Sequence, residues 1–289
     1  MKFEPVAEGY CLIEGPTMRG EDLWFSDLIL GGIRRLAPDG RVTSYLEDRK
    51  HIGGIALNHD DRLLCSGPGG LIWFDPDSGA TGEVLSEIGG EPLPGINDML
   101  PDNAGGLYFG TLGSGGDYDD GPKPAKLCHL APDGTARILD DGLAFGNGIG
   151  ISPDGKTLYH NESTVAIYAY DIEDDGSLSN KRKFIDRHDP DGLAMDAEGG
   201  IWIAHYDSGE IARYLPDGTL DRRASLPHKN VISLCFGGPD MREIYVTTAG
   251  NDGIDALLRG EQPKREAAVF KARSVIPGLP APKTRFSLS

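Results

Sequence analysis

Long apolar runs are missing from this 289-residue chain. No stretch approaches the ~18 uncharged residues that a membrane-spanning helix needs. Met1 to Tyr10 lack a basic start followed by an apolar stretch, so no secretory leader is expected and the cytoplasm is the expected compartment. Positive charge is scarce too: 28 Lys and Arg stand against 45 Asp and Glu, a net charge of −17. Coulomb repulsion then argues against nucleic acid and anionic membrane as partners. Only four cysteines occur, Cys11, Cys65, Cys128 and Cys235, without short spacing. That excludes a Cys-x-x-Cys zinc or redox site, and it suits reduced, buried, small apolar residues better than a disulfide framework. Sustained 3.6-residue apolar spacing is absent, so helix should be scarce. The signatures His-Glu-x-x-His, Gly-x-Ser-x-Gly and Gly-x-x-x-x-Gly-Lys are absent as well. Asp171 to Gly176 begins like a calcium-binding EF-hand loop, but its twelfth position is Arg182 in place of Glu.

What the chain does contain is a repeat. An apolar pair recurs six times: Leu23-Trp24, Leu63-Leu64, Leu107-Tyr108, Leu158-Tyr159, Ile201-Trp202 and Ile244-Tyr245. Successive pairs lie 40 to 51 residues apart. Short strands alternate with turns inside each repeat. Pro38-Asp-Gly40, Asp75-Pro-Asp77, Pro132-Asp-Gly134, Asp174-Asp-Gly176 and Pro216-Asp-Gly218 all fall at one turn position. Proline presets φ there and glycine tolerates positive φ, so these are hairpin turns. The period and strand content predict an all-β fold, a six-bladed β-propeller with four-stranded antiparallel blades around a central channel. The repeat fills nearly the whole length, so residues 1–289 read as one domain. The sixth repeat is short of a strand. The N-terminal segment, Lys2 to Val6, is expected to pair there and close the ring, because an unclosed ring exposes sheet edges.

Ten to twelve residues before the second member of four pairs lie Glu14, Asn97, Asn147 and Asp191. Each alone reads as an ordinary turn or buried polar residue. In a propeller, however, one repeat position sits at one height around one axis, so the four oxygen-bearing side chains should converge. Repeats two and six hold Gly53-Gly54 and Ser233-Leu234 there and contribute less. Carboxylates and amide oxygens are hard ligands that suit Ca²⁺, Mg²⁺ or Mn²⁺. Glu14 and Asp191 together carry the charge that matches one divalent cation. The longest insertion, Gly113 to Pro124, could rim the channel, which makes Asp117 and Tyr118 candidate substrate contacts. His205 is a minor candidate for a proton donor or substrate contact near the site.

At these residues the chain resembles the senescence-marker-protein, gluconolactonase and luciferin-regenerating-enzyme family. The likeness is carried by Glu14-Gly-Pro16, Asn97-Asp98, Asn147-Gly148, Ser152-Pro-Asp-Gly-Lys-Thr-Leu-Tyr159, Pro190-Asp-Gly-Leu-Ala-Met-Asp196, Gly200-Ile-Trp-Ile-Ala204, Cys235-Phe-Gly-Gly-Pro239 and Tyr245-Val-Thr-Thr248. The resemblance implies one divalent cation on the axis, calcium first, with zinc, manganese and magnesium as alternatives. It puts the metal ligands on Glu14, Asn147 and Asp191, a substrate contact on Asn97, and the water-activating base on Asp191. It implies a metal-dependent hydrolase, a lactonase acting on a small molecule. The sequence does not give the oligomeric state, and a monomer is only the default for a propeller of this size. Two alternatives remain: a lyase, dehydratase or isomerase acting beside a carbonyl on the same ligands, and a non-enzymatic binding propeller. Sugar-lactone hydrolases of the family often carry an arginine two positions before the asparagine. Here that place is Gly95, which favours a smaller or less polar substrate.

Overall fold

A computed structural model describes residues 1–112, 124–250, 259, 261 and 264–289. No helix occurs among them. Six antiparallel sheets, each built on four strands, form a six-bladed propeller. The innermost strands of blades one to six are Ile13–Arg19, Ile55–Leu57, Gly95–Pro101, Gly146–Ile151, Pro190–Met195 and Val231–Gly237. Each packs against the next, and the sixth against the first, around the axis.

The recurrent apolar pairs lie on the second strand of each blade. Neighbouring blades cover both faces of that strand, so both members of a pair are buried. Trp24, Leu63, Leu64, Leu107 and Trp202 are all sealed from solvent. Trp202 of blade five meets Phe236 of blade six edge-on at 6.0 Å. Leu64 of blade two joins Leu107 and Phe109 of blade three in one cluster. Each such aliphatic or phenyl side chain contributes roughly 1.5–3 kcal/mol by leaving water. The expected turns form, and aspartate secures them. Asp39, Asp133, Asp175 and Asp217 each accept a hydrogen bond from the backbone N–H two residues on, at 2.8–3.0 Å.

The ring closes with the N-terminus, on a strand a few residues longer and later than expected. Glu4–Tyr10 pairs antiparallel with Ala267–Arg273 as the outer strand of blade six. The shift follows from the register, which sets Tyr10 opposite Ala267. After blade six the chain crosses one end of the channel. Gly278 N–H donates to Met241, Leu279 to Met195, Thr284 to Leu57 and Arg285 to Gly105, at 2.7–2.9 Å. This strap borders an axial cavity of about 490 Å³ that reaches up to Gly15, Asp98 and Ser233.

Candidate active site

The site is built by one backbone irregularity used four times. In blade one Glu14 opposes Ser26 and Thr17 opposes Trp24. The inner strand advances three residues while its partner advances two, which is a β-bulge. The same slip separates Ile96 from Met99, Gly146 from Ile149 and Pro190 from Leu193. Asn97, Asn147 and Asp191 lie inside these bulges and Glu14 at the edge of one. A bulge turns a side chain off the pleat. Here it brings Glu14, Asn97, Asn147 and Asp191 to the channel from four inner strands.

Two glycines let neighbouring blades approach closely at the bulges. A Cβ on Gly148 would stand 2.6 Å from the Asp191 carbonyl oxygen, so only glycine lets the Asn147 and Asp191 segments touch. A Cβ on Gly53 would stand 2.6 Å from Asn97 Oδ1, so blade two supplies no side chain because Asn97 takes its place. The glycines beside Asn147 thus serve close approach. Neither Gly146 nor Gly148 has a positive φ.

The amides are locked together. Asn97 Nδ2 donates to Asn147 Oδ1 at 2.7 Å and to the Gly146 carbonyl at 3.0 Å. Asn147 Nδ2 donates to Ser163 Oγ at 2.8 Å. Asn161 Nδ2 donates to the Asp191 carbonyl at 2.6 Å. Ser66 Oγ donates to the Asn97 carbonyl and accepts from Gly53 and Gly54 N–H. Asn97, Asn147 and Asp191 are buried; Glu14 and Asp98 are half-buried.

Burial raises the pKa of all three acids, and neighbouring carboxylates add to it at Glu14 and Asp191. Burial first, then Asp191 and Asp98, raise the Glu14 carboxyl well above the usual range, against a hydrogen bond from Gly15 N–H. Burial, then Asp98, raise Asp191 in the same way. Burial pushes Asp98 up to about 6, although Met99 N–H donates to it at 2.9 Å. Like charges crowded in a poorly solvated site destabilise the ionised forms, and a divalent cation would offset that. The donor set therefore fits a hard cation. Among the described residues no three His, Cys, Asp or Glu side chains form a metal centre by themselves. A cation here would need the Asn147 amide oxygen beside the acids.

Glu14, Asn97, Asn147 and Asp191 thus come together, and Asp98 joins them. Asp98 was visible in the Asn97-Asp98 pair, but only the bulge explains why adjacent residues both reach the site. Ser163 has no sequence signal, because it sits on a hairpin tip outside every motif quoted above. His205 is sealed inside blade five, with Nδ1 3.1 Å from Asp189 Oδ1 and Nε2 3.2 Å from the Tyr214 hydroxyl. Both ring nitrogens are engaged within the blade, so the geometry gives it no substrate contact. Asp117 and Tyr118 lie outside the described residues.

Comparison with known proteins identifies the family. Residues 12–250 match the family described as SMP-30/Gluconolactonase/LRE-like region. The pentonolactonase XacC of Haloferax volcanii is 30% identical over 266 residues, which cover 88% of this chain and 87% of that protein. The 6-deoxy-6-sulfogluconolactonase of Pseudomonas putida is 27% identical over 288 residues, covering 94% and 97%. A luciferin-regenerating enzyme of known structure superposes with a TM-score of 0.84 at 22% identity, covering 99% of both chains. With a match across most of its length, the chain belongs to the SMP-30/gluconolactonase/luciferin-regenerating-enzyme family.

Proposed function

We propose that this protein is a divalent-cation-dependent lactonase, which opens a small lactone by attack of water. The observation that carries the reading is the convergence of Glu14, Asn147 and Asp191 with two further polar groups on the propeller axis. Glu14, Asn147 and Asp191 would hold the cation. When bound, it supplies Lewis-acid polarisation of the ester carbonyl and offsets charge developing on that oxygen. Asp191 takes the proton of the attacking water as general base. Both Asn97 Nδ2 hydrogens are committed to Asn147 and Gly146. Its Oδ1 is therefore left to accept a hydrogen bond from a substrate hydroxyl.

The two lactonase relatives are named for sugar-derived lactones. That weighs against the smaller, less polar ring suggested by Gly95 and puts aldonolactones first in a screen. The test uses chelator-stripped protein, a panel of lactones and one cation restored at a time. Turnover should need a cation, and heavy-oxygen water should label the acid product. Asp191→Ala should lose at least about a thousandfold in turnover while keeping its fold. Full activity in that variant would end the proposal, and an unlabelled product would point to an isomerase or lyase.

A further inference from the structure

Ser163 stands at the only hairpin tip among the described residues whose side chain bonds to one proposed ligand and to the residue before another. Its Oγ accepts a hydrogen bond from Asn147 Nδ2 at 2.8 Å and donates its own hydrogen to the Pro190 carbonyl, next to Asp191. One hydroxyl thus joins the ligand-bearing bulges of blades four and five. The donor–acceptor order is fixed along the whole chain. Asn97 donates to Asn147 Oδ1, Asn147 donates to Ser163, and Ser163 donates to Pro190. A serine hydroxyl both accepts and donates, so it can serve this joint; a methyl group cannot.

The tip is also held in place. Ser163 N–H donates to the Phe145 carbonyl at 2.9 Å. Thr164, the next residue, has φ of 70°, a left-handed conformation strained for a β-branched side chain. It is kept there by the segment leading to Asp191: Thr164 N–H donates to the His188 carbonyl at 2.9 Å, and His188 Nδ1 lies 3.1 Å from the Thr164 carbonyl. Strain of this kind persists only where the surroundings enforce it. Its effect here is to aim Ser163 Oγ between Asn147 and Pro190.

We infer that Ser163 is a positioning residue of the cation site, holding the Asn147 amide and the Asp191 backbone in one arrangement so that the two ligands present their oxygens together. The inference rests on the cation reading above. Partners that orient metal ligands affect affinity by about ten- to a hundredfold, and that is the effect expected here.

The test is calorimetric titration of CaCl₂ and MnCl₂ into chelator-stripped wild type, Ser163→Ala and Ser163→Thr, with the unfolding midpoint of each cation-free protein measured alongside. Ser163→Ala should bind about ten- to a hundredfold more weakly, Ser163→Thr should stay close to wild type, and the cation-free midpoints should agree. Unchanged affinity in Ser163→Ala would overturn the inference. So would a lowered midpoint without an affinity change, which marks a merely structural serine, or equal weakening in both variants, which takes the hydroxyl out of the account. Wild type that binds neither cation would instead sink the cation reading itself, and this inference with it.

Discussion

At Asp98 the fold keeps a carboxyl that burial pushes up to about 6. The ordinary value is 3.8, so as pH rises the unfolded chain gives up its proton first. Stability is therefore lost between about pH 4 and 6, and the loss is complete above 6. Asp98→Asn should raise the urea resistance of the cation-free protein at pH 7.5 by on the order of 1 kcal/mol, with no gain at pH 4. The same variant should bind divalent cations more weakly. His160 works in the opposite sense. Its ring is fully buried, neither nitrogen has a hydrogen-bond partner among the described residues, and burial depresses its pKa to about 4. The unfolded chain takes up the proton first, so this contribution is intact above about 6.5 and declines toward about 4. Wild type should lose about 2 kcal/mol between pH 7 and 5 that His160→Leu does not; parallel urea curves for the two proteins would contradict this. Glu14, Asn97, Asn147 and Asp191 were legible because the repeat gives them one phase. Asp98 was half-legible, as an acid beside Asn97. Ser163 was not, since its importance comes from hydrogen bonds across blades that no spacing reveals.

Individual elements divide in the same way. The second strands were readable from their apolar pairs, and the third hairpin turns from Pro-Asp-Gly, because both are local chemistry. The inner-strand bulges were not, because an extra residue shows only against its partner's register. The strap over the channel was missed for a related reason. Residues 277–286 are rich in proline and hold on by the single bridges Asp196 to Gly278 and Asn58 to Thr284. Such a segment has no alternation to read. Its anchor is Phe286, which is buried in the cluster of Leu64, Leu107 and Phe109 between blades two and three, while its N–H donates to Asn58 Oδ1 at 3.0 Å. Phe286→Ala should destabilise the protein by about 3–5 kcal/mol. A thermal or urea transition unchanged by that substitution would show that the strap does not anchor there.

For the whole molecule, closure of the ring by the N-terminal strand is what makes six blades share one axis, and the shared axis is what gathers acids far apart in sequence. This geometry was legible because the period and the missing sixth-repeat strand pointed to the same closed ring. The net charge of −17 adds a diffuse attraction for any cation. Binding should therefore be measured at about 0.15 M salt, where distant charges are screened and a buried site is not. The most direct measurement is a titration of Ca²⁺ into chelator-stripped protein under those conditions, for wild type, Glu14→Gln and Asp191→Asn. The account predicts saturable one-site binding in wild type and roughly tenfold or greater weakening in each variant. Absence of saturable binding to wild type, or equal affinity in all three proteins, would contradict it.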